Sequence, residues 1–284
     1  MALRQKTRTF LTVGVVLFLC VLFSHPEDVM RGSLAGLTLW YQAVLPVQLP
    51  FMIVIQLLLR LQVIRGLEPS LLCLLSGLTC GYPAGTVTAA ALYQSGAIPE
   101  KRLTRLAAGS STAGPLFMVG TVGLGLLTES RLGYLLLSIQ WLCAALLVLP
   151  GGRKHKPKQA PPVVSQPLGQ MLGDAVGAAA QLMLTIAGFI VLFSVILQWV
   201  PSWIGALLEM TNGAKIAAAS SWPLAAKLVG ISFLLGFSGV CVILQSLAAA
   251  ERAPIAAGRF VLYKVAQGGL AAVLTWGVCQ FLGL

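Results

Sequence analysis

The stretch that decides the fold begins with Cys80-Gly81-Tyr82-Pro83-Ala84-Gly85 and ends with Ser110-Ser111-Thr112-Ala113-Gly114-Pro115-Leu116-Phe117-Met118-Val119-Gly120-Thr121. Glycine and proline interrupt both apolar ends, and a cationic cluster of Lys101, Arg102 and Arg105 lies between them. Proline removes a backbone donor and clashes with the preceding helical turn, so each end predicts a broken helix. Non-helical backbone is tolerated at membrane depth only where it is buried in protein or lines a watery cavity. The stretch is therefore the first candidate for a binding site.

The amino-acid composition is typical of an integral membrane protein. Of 284 residues, 57% are hydrophobic and 10% are charged, against about 25% charged residues in an ordinary soluble domain. A spanning helix needs on the order of 20 predominantly apolar residues. Hydrophobic segments lie at about residues 8–24, 36–60, 71–97, 114–128, 132–150, 175–200, 223–249 and 256–283. The sequence therefore predicts an all-α polytopic protein of the lipid bilayer, with seven or eight hydrophobic segments and transporter-like broken or re-entrant helices.

The positive charge does not indicate nucleic-acid binding. The formal net charge is +11, but the basic residues fall in short patches between hydrophobic segments. One patch is Met1–Arg8, and another contains Arg153, Lys154, Lys156 and Lys158. Because cytoplasmic loops of membrane proteins carry an excess of lysine and arginine, both patches are predicted to be cytoplasmic. No nucleic acid is expected as a partner.

The residue spacing does not indicate an enzyme. The six cysteines lie in apolar surroundings without a CxxC pair, and the two histidines, His25 and His155, are far apart. Neither a zinc site nor a disulfide framework is indicated. The sequence has no nucleophile–base pair and no glycine-rich lysine motif for ATP. We expect no catalytic residue, metal or cofactor, and any uphill transport must then use an ion gradient or a partner protein.

The predicted organisation has four parts. Residues 1–34 hold an uncleaved N-terminal membrane helix and an external loop from His25 to Arg31. Residues 35–150 form a first membrane half, and residues 169–284 form a second. The connection at 151–168 is rich in lysine, glutamine and proline and has no apolar face to bury. It is predicted to be a cytoplasmic basic linker.

Two more features of the first half predict irregular helices. Pro46 and Pro50 lie four residues apart in one apolar segment and predict a kink or break near residues 46–50. The apolar run Leu71–Leu78 is too short to span a bilayer. This favours a re-entrant half-helix, or one that joins the next half-helix through a break at residues 81–83.

The segment Gly109–Pro115 combines small and hydroxylated side chains with a proline. Ser110, Ser111 and Thr112 lie where the proline frees backbone groups. A helix that starts there can present donors to an anion, because its N-terminus is the positive end of the dipole. The alternative is close helix packing by small residues, which is common in membrane proteins. Both interpretations stay open on the sequence alone.

Weak self-similarity relates the two halves. Residues 50–57 (PFMIVIQL) resemble residues 188–195 (GFIVLFSV), with a chain-breaking residue before the phenylalanine in each. Gly81-Tyr82 resembles Gly236-Phe237, and in both cases a proline follows 18 positions after the glycine. Because many transporters are built from repeated halves, we predict a two-fold inverted repeat whose broken regions meet near the bilayer midplane. Coincidence in a composition rich in glycine and proline is the alternative.

Charged residues at membrane depth cost on the order of 2.5–3.5 kcal/mol on insertion scales and therefore mark functional candidates. Those within or near the hydrophobic segments are Asp174, Glu209, Lys227, Arg259 and Lys264. Lys264 stands between Val-Leu-Tyr and Val-Ala-Gln and is the hardest to explain at a membrane surface. Glu209 lies in a stretch with glycine and asparagine that is typical of a short interfacial helix. We expect Lys264 and Arg105 to be the cations of the site.

Several sequence blocks resemble a known family, and their order is more specific than any one block. They are residues 81–85 (GYPAG), 114–123 (GPLFMVGTVG), 172–175 (LGDA), 188–194 (GFIVLFS) and 234–239 (LLGFSG). Over nearly its whole length the chain resembles the sporulation integral membrane proteins of the YlbJ (SpoVV) type, which carry a nucleoside-recognition, or Gate, domain. The resemblance makes both predicted membrane halves Gate-like.

The resemblance implies a membrane transporter of a small organic anion. The expected substrate is dipicolinate, carried from the mother cell towards the forespore across the outer forespore membrane, with a fold similar to concentrative nucleoside carriers. The expected mechanism is an alternating movement of broken-helix elements around a central site. Alternatives are a nucleoside transporter and a non-transporting membrane scaffold, and partner membrane proteins or a homo-oligomer stay open.

The sequence departs from the family pattern at two places. Cys80 stands where a serine is usual before Gly-Tyr-Pro, and Thr86-Val87 replaces a common Ala-Lys. A lysine contact at the second place therefore cannot be expected in this chain.

A small, flat dianion suits a site of broken-helix backbone donors, hydroxyls, cations and an aromatic ring. The candidate substrate-binding residues are Gly81, Tyr82, Pro83, Gly85, Arg105, Ser110, Ser111, Thr112, Pro115, Gly236, Ser238, Gly239 and Lys264. Tyr82 is the candidate aromatic ring, with packing at the break as its alternative role.

Overall fold

The computed structural model describes residues 2–61, 67–150, 166–250 and 252–284, and the regular secondary structure in these ranges is helical. The helices are α1 (Ala2–Ser24), α2 (Pro26–Leu39), α3 (Leu45–Leu61), α4 (Pro69–Cys80), α5 (Ala84–Gln94), α6 (Glu100–Gly109), α7 (Ser130–Val148), α8 (Leu168–Ile196), α9 (Ser202–Leu208), α10 (Met210–Ala219), α11 (Leu224–Phe237), α12 (Gly239–Ala249) and α13 (Ala257–Leu282). Two π-helical segments, Trp40–Val44 and Phe117–Leu126, complete the set. The all-α prediction is confirmed.

Five helical stretches in the described ranges are long and apolar enough to cross a membrane, and two of them combine consecutive helices, α2 with α3 and α11 with α12. They are Pro26–Leu61, Ser130–Val148, Leu168–Ile196, Leu224–Ala249 and Ala257–Leu282. Shorter apolar helices lie at Arg8–Ser24, Pro69–Cys80 and Phe117–Leu126. The multi-pass membrane class is therefore supported, while the number of seven or eight hydrophobic segments stays a prediction. Most of the predicted basic linker, 151–168, lies outside the described residues, which resume at residue 166.

The predicted external loop from His25 to Arg31 is wrong, because all but its first residue lie in α2. Pro26 occupies the start of the helix, where its missing donor costs little. Glu27 and Asp28 follow in the first turn, where negative charge favours the helix dipole. The indole Nε1 of Trp199 also donates to Asp28 Oδ2 at 3.1 Å. The proline and the two acidic residues of this segment are therefore helix-start signals.

The prolines in α3 do not interrupt the helix. Pro50 lies inside α3, and Pro46 is its second residue, two positions after the π-helical segment Trp40–Val44. There the Leu45 N–H donates to the Trp40 carbonyl, five residues back. A π-helical turn changes the hydrogen-bond register, so the irregularity precedes the prolines. The described chain has no break at residues 46–50, while a kink there stays a prediction.

Three other breaks occur where the sequence predicted them. α4 ends at Cys80, Gly81 has a φ of +79°, the Tyr82–Pro83 bond is cis, and α5 begins at Ala84. α11 ends at Phe237 and α12 begins at Gly239, with φ values of +77° and +76° at residues 238 and 239. α6 ends at Gly109, and a helix (residues 115–126, the Pro115 helix) starts after five non-helical residues.

The order of elements is similar on both sides of the linker. The series α4, break, α5, proline-containing connection and α6 has a counterpart in α11, break, α12, proline-containing connection and α13. The two helices that follow the breaks have 11 residues each. This order agrees with the sequence similarity, and the inverted two-fold relation itself stays a prediction.

Small residues allow close contact between helices, including a helix that ends at a break. A Cβ placed on Gly236 of α11 would lie 2.7 Å from the Gly268 Cα of α13. A Cβ on Gly32 of α2 would lie 2.7 Å from the Val195 Cα of α8. Such small-residue contacts are common between membrane helices, since they let two backbones approach. α13 is thereby held directly against the helix before the second break.

Candidate functional site

The three breaks meet in one buried cluster. Tyr82 is buried, and its hydroxyl donates to the Leu235 carbonyl at 2.5 Å, which joins the first break to the second. A Cβ on Gly81 would lie 2.8 Å from the Gly114 backbone nitrogen, so the first break also touches the third. We call residues 81–83, 111–114 and 236–239 the break cluster. The sequence expectation that the two broken regions face each other agrees with this contact.

Lys264 lies against the break cluster and is fully buried in α13. Its Nζ donates to the Ser111 carbonyl at 2.5 Å and to Gln267 Oε1 at 2.7 Å. The ammonium also lies 5.7 Å from the centroid of the Tyr82 ring, within cation–π range. None of the ion pairs in the described ranges includes Lys264. The Lys264 side chain therefore has neutral partners, and no acidic side chain of the described chain lies beside it to balance its charge when it is protonated.

A cavity of about 80 Å³ adjoins the break cluster. Its wall is formed by α3 and the π-helical turn before it, by the end of α4, by Tyr82, by residues 113–117, by α8 and by the beginnings of α10 and α12. Small-molecule pockets usually have volumes of about 300–1,000 Å³. A cavity of this size holds a few waters or a small ion. Binding of a larger substrate requires the wall elements to move apart.

Three helices start on the cavity wall. The Pro115 helix contributes Gly114 and Pro115, α10 contributes Met210, and α12 contributes Cys241 from its first turn. The first backbone N–H groups of a helix have no partner within the helix, and its N-terminus carries a partial positive charge. A helix start is therefore suited to a carboxylate or another anion, and at α10 a carboxylate of the chain itself already takes this place.

Glu209 places a carboxylate on the same wall. It caps α10, with Oε1 accepting from the Thr211 N–H at 3.0 Å and Oε2 from the Asn212 N–H at 2.8 Å. Its exposed fraction is 8%, and it lines the cavity. The sequence interpretation of an interfacial glutamate therefore missed its position. An acidic residue directly before a helix is a common N-cap, and this pattern in the sequence could have indicated that Glu209 caps α10.

Two glutamine side chains on the cavity wall have unpartnered amide oxygens. Gln48 of α3 and Gln245 of α12 both line the cavity, and the Oε1 atom of each is buried without a hydrogen-bond partner. In the sequence, Gln48 is a polar residue within an apolar span. Gln245 was not singled out, although it too stands in an apolar helix. Unpaired polar groups in such a place indicate a ligand or water.

The predicted site residues divide by position. Of the predicted set, Tyr82 and Pro115 line the cavity. The members that form the cluster behind this wall are Gly81, Pro83, Ser111, Thr112, Gly236, Ser238 and Gly239. Thr112 donates from Oγ1 to the Gly77 carbonyl at 3.2 Å, which ties the third break to α4. Ser110 donates to Leu106 O and packs against Gly85. Many predicted residues thus shape the breaks, and few face the cavity.

Arg105 does not reach the cavity. Its guanidinium NH1 donates to the Leu147 carbonyl at 3.1 Å, near the C-terminal end of α7. A cation at that place favours the negative end of a helix dipole. Its neighbour Arg102 bonds to Glu68 Oε1 at 3.0 Å. Both arginines of the central cationic cluster therefore connect helices, and the break cluster draws its cation from Lys264.

Glu68 is the partner of Arg102 and the cap of α4. It accepts from the Ser70 N–H at 2.8 Å and from the Leu71 N–H at 3.1 Å. Partial burial by itself would raise the pKa of Glu68, but the bonds from Arg102, Ser70 and Leu71 lower its pKa below the ordinary value. The ionised carboxylate is thus the form that the folded chain prefers.

Glu68→Gln is expected to lower the free energy of unfolding by about 0.5–1.5 kcal/mol near pH 7, through a weaker cap and a lost ion pair. The side chain is 44% exposed, so solvent screening keeps the effect small. Because the pKa of the Glu68 carboxyl is lower in the folded chain than in the unfolded chain, the ionised carboxylate stabilises the fold at pH values above the unfolded pKa. This stabilisation is lost as the pH falls through the folded pKa. The difference between wild type and variant should therefore shrink below about pH 4 in thermal unfolding. Glu129→Gln is the control, because Glu129 precedes α7 without a side-chain capping bond.

The described residues hold no group of three or more His, Cys, Asp and Glu side chains that could bind a metal ion. All six cysteines have free thiols, and Cys80 and Cys241 lie on the cavity wall. The polar groups at and beside the cavity are amides, hydroxyls, thiols, one carboxylate and the nearby Lys264 side chain.

No protein-family model matches the chain, so the Gate domain is not confirmed. No solved structure matches it either. The chain is 29% identical to the sporulation integral membrane protein YlbJ of Bacillus subtilis (strain 168), over 95% of this chain and 82% of that protein. The similarity extends over both predicted halves, as the order of the sequence blocks suggested.

Proposed function

We propose a transport function on the premise that this chain belongs to the family of YlbJ-type sporulation integral membrane proteins. The proposed activity is the movement of a small organic anion across a membrane, with dipicolinate as the first candidate and the outer forespore membrane as the proposed place. The coarser statement, a multi-pass membrane protein that is similar to a sporulation integral membrane protein, needs no proposal.

The observation that carries the proposal is the buried Lys264 ammonium at the junction of three chain breaks. An ionised side chain at membrane depth is costly, so its position beside non-helical backbone suggests a functional role. Its hydrogen-bond acceptors, Ser111 O and Gln267 Oε1, are neutral. The starts of the Pro115 helix and of α12 add partial positive charge nearby. Together these groups favour an anion over a cation as the transported substrate.

The proposed mechanism is a movement of the broken elements. Tyr82 lines the cavity, and the centroid of its ring also lies 5.7 Å from Lys264 Nζ, so this side chain is adjacent to both. Displacing the first break from the second would break the Tyr82 hydroxyl bond to Leu235 and open a path from the cavity to Lys264. Such rocking around a central site is how transporters with broken helices work.

Purified full-length protein in liposomes tests the function. Labelled dipicolinate should enter protein-containing vesicles faster than empty vesicles, and unlabelled dipicolinate should compete. An uptake equal to that of empty vesicles, with correctly folded protein in the membrane, would contradict the proposal.

A nucleoside is the second candidate, and the polar groups on the cavity wall favour it. Gln48, Gln245 and Glu209 offer amide groups and a carboxylate, which recognise a neutral ligand with hydrogen-bond donors better than a dianion. In the same liposomes, inhibition of uptake by uridine or adenosine, together with uptake of the labelled nucleoside, would favour this candidate. Inhibition by unlabelled dipicolinate alone would favour the anion.

A further inference from the structure

We propose that the cavity beside the break cluster binds an alkali-metal cation, with the Glu209 carboxylate and the amide oxygens of Gln48 and Gln245 as ligands. These three side chains come from α3, α12 and the cap of α10 and line one cavity. The binding site itself needs no transported anion. Its role as a coupling ion rests on the proposed transport function.

Glu209 supplies the charge for the site. Its carboxylate is buried on the wall and is in none of the ion pairs found in the described part of the chain. Each oxygen accepts one backbone N–H, from Thr211 and Asn212. An ionised carboxylate has about four lone-pair sites, so each oxygen can accept another interaction. A buried negative charge of this kind is stabilised by a cation.

The glutamine oxygens supply neutral ligands. The Gln245 side chain is 5% exposed, and its Oε1 has no hydrogen-bond partner. Gln48 Oε1 is likewise buried and unpartnered. A buried acceptor without a partner costs free energy, and a bound cation would remove that cost at both positions. Both unpartnered atoms are oxygens, the ligand type that hard cations prefer.

Charge and size favour a monovalent ion. One carboxylate with two neutral oxygens balances a single positive charge, whereas divalent sites usually recruit more carboxylates. The volume of about 80 Å³ accommodates an ion with a few waters. A nucleoside or a dipicolinate molecule would need a wider cavity. The cation can therefore bind without the movement that the larger substrates require.

Cation binding and anion binding should be linked. Glu209 repels an approaching anion, and a cation beside its carboxylate cancels this repulsion. If the cation raises the affinity for the anion, the anion must raise the affinity for the cation by the same factor. This linkage would let a cation gradient influence anion movement in a chain without an ATP motif.

Thermal unfolding of the purified full-length protein in detergent tests the site without any organic anion. At equal ionic strength, NaCl or KCl should raise the Tm above its value in choline chloride by about 2–4 °C, increasing with the logarithm of cation concentration. Glu209→Gln and, separately, Gln245→Leu should lose this rise. Glu129→Gln, an exposed glutamate outside the cavity, should keep it.

Equal Tm values in all three salts would overturn the site, as would an unchanged cation response in both cavity variants. A response to pH in place of the alkali cations would assign a proton to Glu209 and also overturn the proposal. A cation-dependent Tm without dipicolinate uptake would sustain the site and contradict the transport function. Dipicolinate uptake without a cation-dependent Tm would support the transport function and contradict the cation site.

Discussion

Replacing Lys264 with methionine is expected to reduce dipicolinate uptake by about ten-fold to more than a hundred-fold. A hydrogen bond to a charged group contributes about 1.5–3 kcal/mol, and each 1.4 kcal/mol is a factor of ten in affinity. The ammonium is buried beside the break cluster and has no acidic partner in the described chain, so the variant removes the main cation from the proposed anion path. The measurement is uptake into liposomes, together with the affinity for dipicolinate in detergent.

The thermal stability of the Lys264→Met variant is expected to change little. Methionine has a similar length and removes the desolvation cost of the ammonium, and replacing buried charge with apolar volume is often neutral or stabilising. Against this, the Ser111 carbonyl and Gln267 Oε1 lose a donor, at about 1–3 kcal/mol for an unsatisfied group. We expect the two effects to offset each other to within about 2 kcal/mol. The Lys264→Met variant should therefore lose dipicolinate uptake while its Tm stays close to that of the wild type.

Lys227→Met is the matched control. Lys227 is a partly buried lysine of α11 whose Nζ donates to the Ala218 carbonyl at 2.9 Å, and it does not line the cavity. Its loss should leave uptake within about two-fold of wild type, since a single neutral acceptor is affected. Equal uptake by wild type and Lys264→Met would refute the anion path through Lys264. A fall in both lysine variants would indicate a general effect of charge.

The breaks could be predicted because their causes are local. Gly81, Pro83 and Pro115 act on the backbone through φ freedom or a missing donor, and these properties can be read from the sequence. Lys264 was noticeable for a similar reason, since a cation amid apolar residues needs an explanation wherever the chain folds. The all-helical membrane class followed from composition and segment length. Each of these inferences depends on a single residue or on one short segment of the sequence.

The cavity could not be predicted in the same way. Which side of α12 faces the cavity depends on packing against other helices, so Gln245 was missed. Glu209 was interpreted as interfacial because its stretch resembles a surface helix, although α10 begins on the cavity wall. Arg105 was expected near the substrate from its place between two breaks, but α6 directs it to the end of α7. The positions of all three side chains depend on contacts between residues that are far apart in the sequence.

Gly77→Ala is expected to lower the free energy of unfolding by about 1–3 kcal/mol, the cost of forcing extra volume into a packed site. A Cβ on Gly77 of α4 would meet the Ser110 carbonyl oxygen and lie 2.9 Å from its carbon. Backbone atoms cannot rotate away as a side-chain end can. Thr112 Oγ1 also donates to the Gly77 carbonyl, so α4 cannot shift without disturbing the third break. The displaced Ser111 carbonyl would weaken its contact with Lys264 as well.

The same substitution at Gly173 should have the opposite sign. Gly173 is an exposed glycine of α8 with no heavy atom within 4 Å of a Cβ placed there. In a helix interior, alanine is favoured over glycine by roughly 0.5–1 kcal/mol. Thermal unfolding should therefore show a lower Tm for Gly77→Ala and a higher Tm for Gly173→Ala, at about 2–4 °C per kcal/mol. If both variants were stabilised, α4 and the third break would not be in contact, and the break cluster would lose its support.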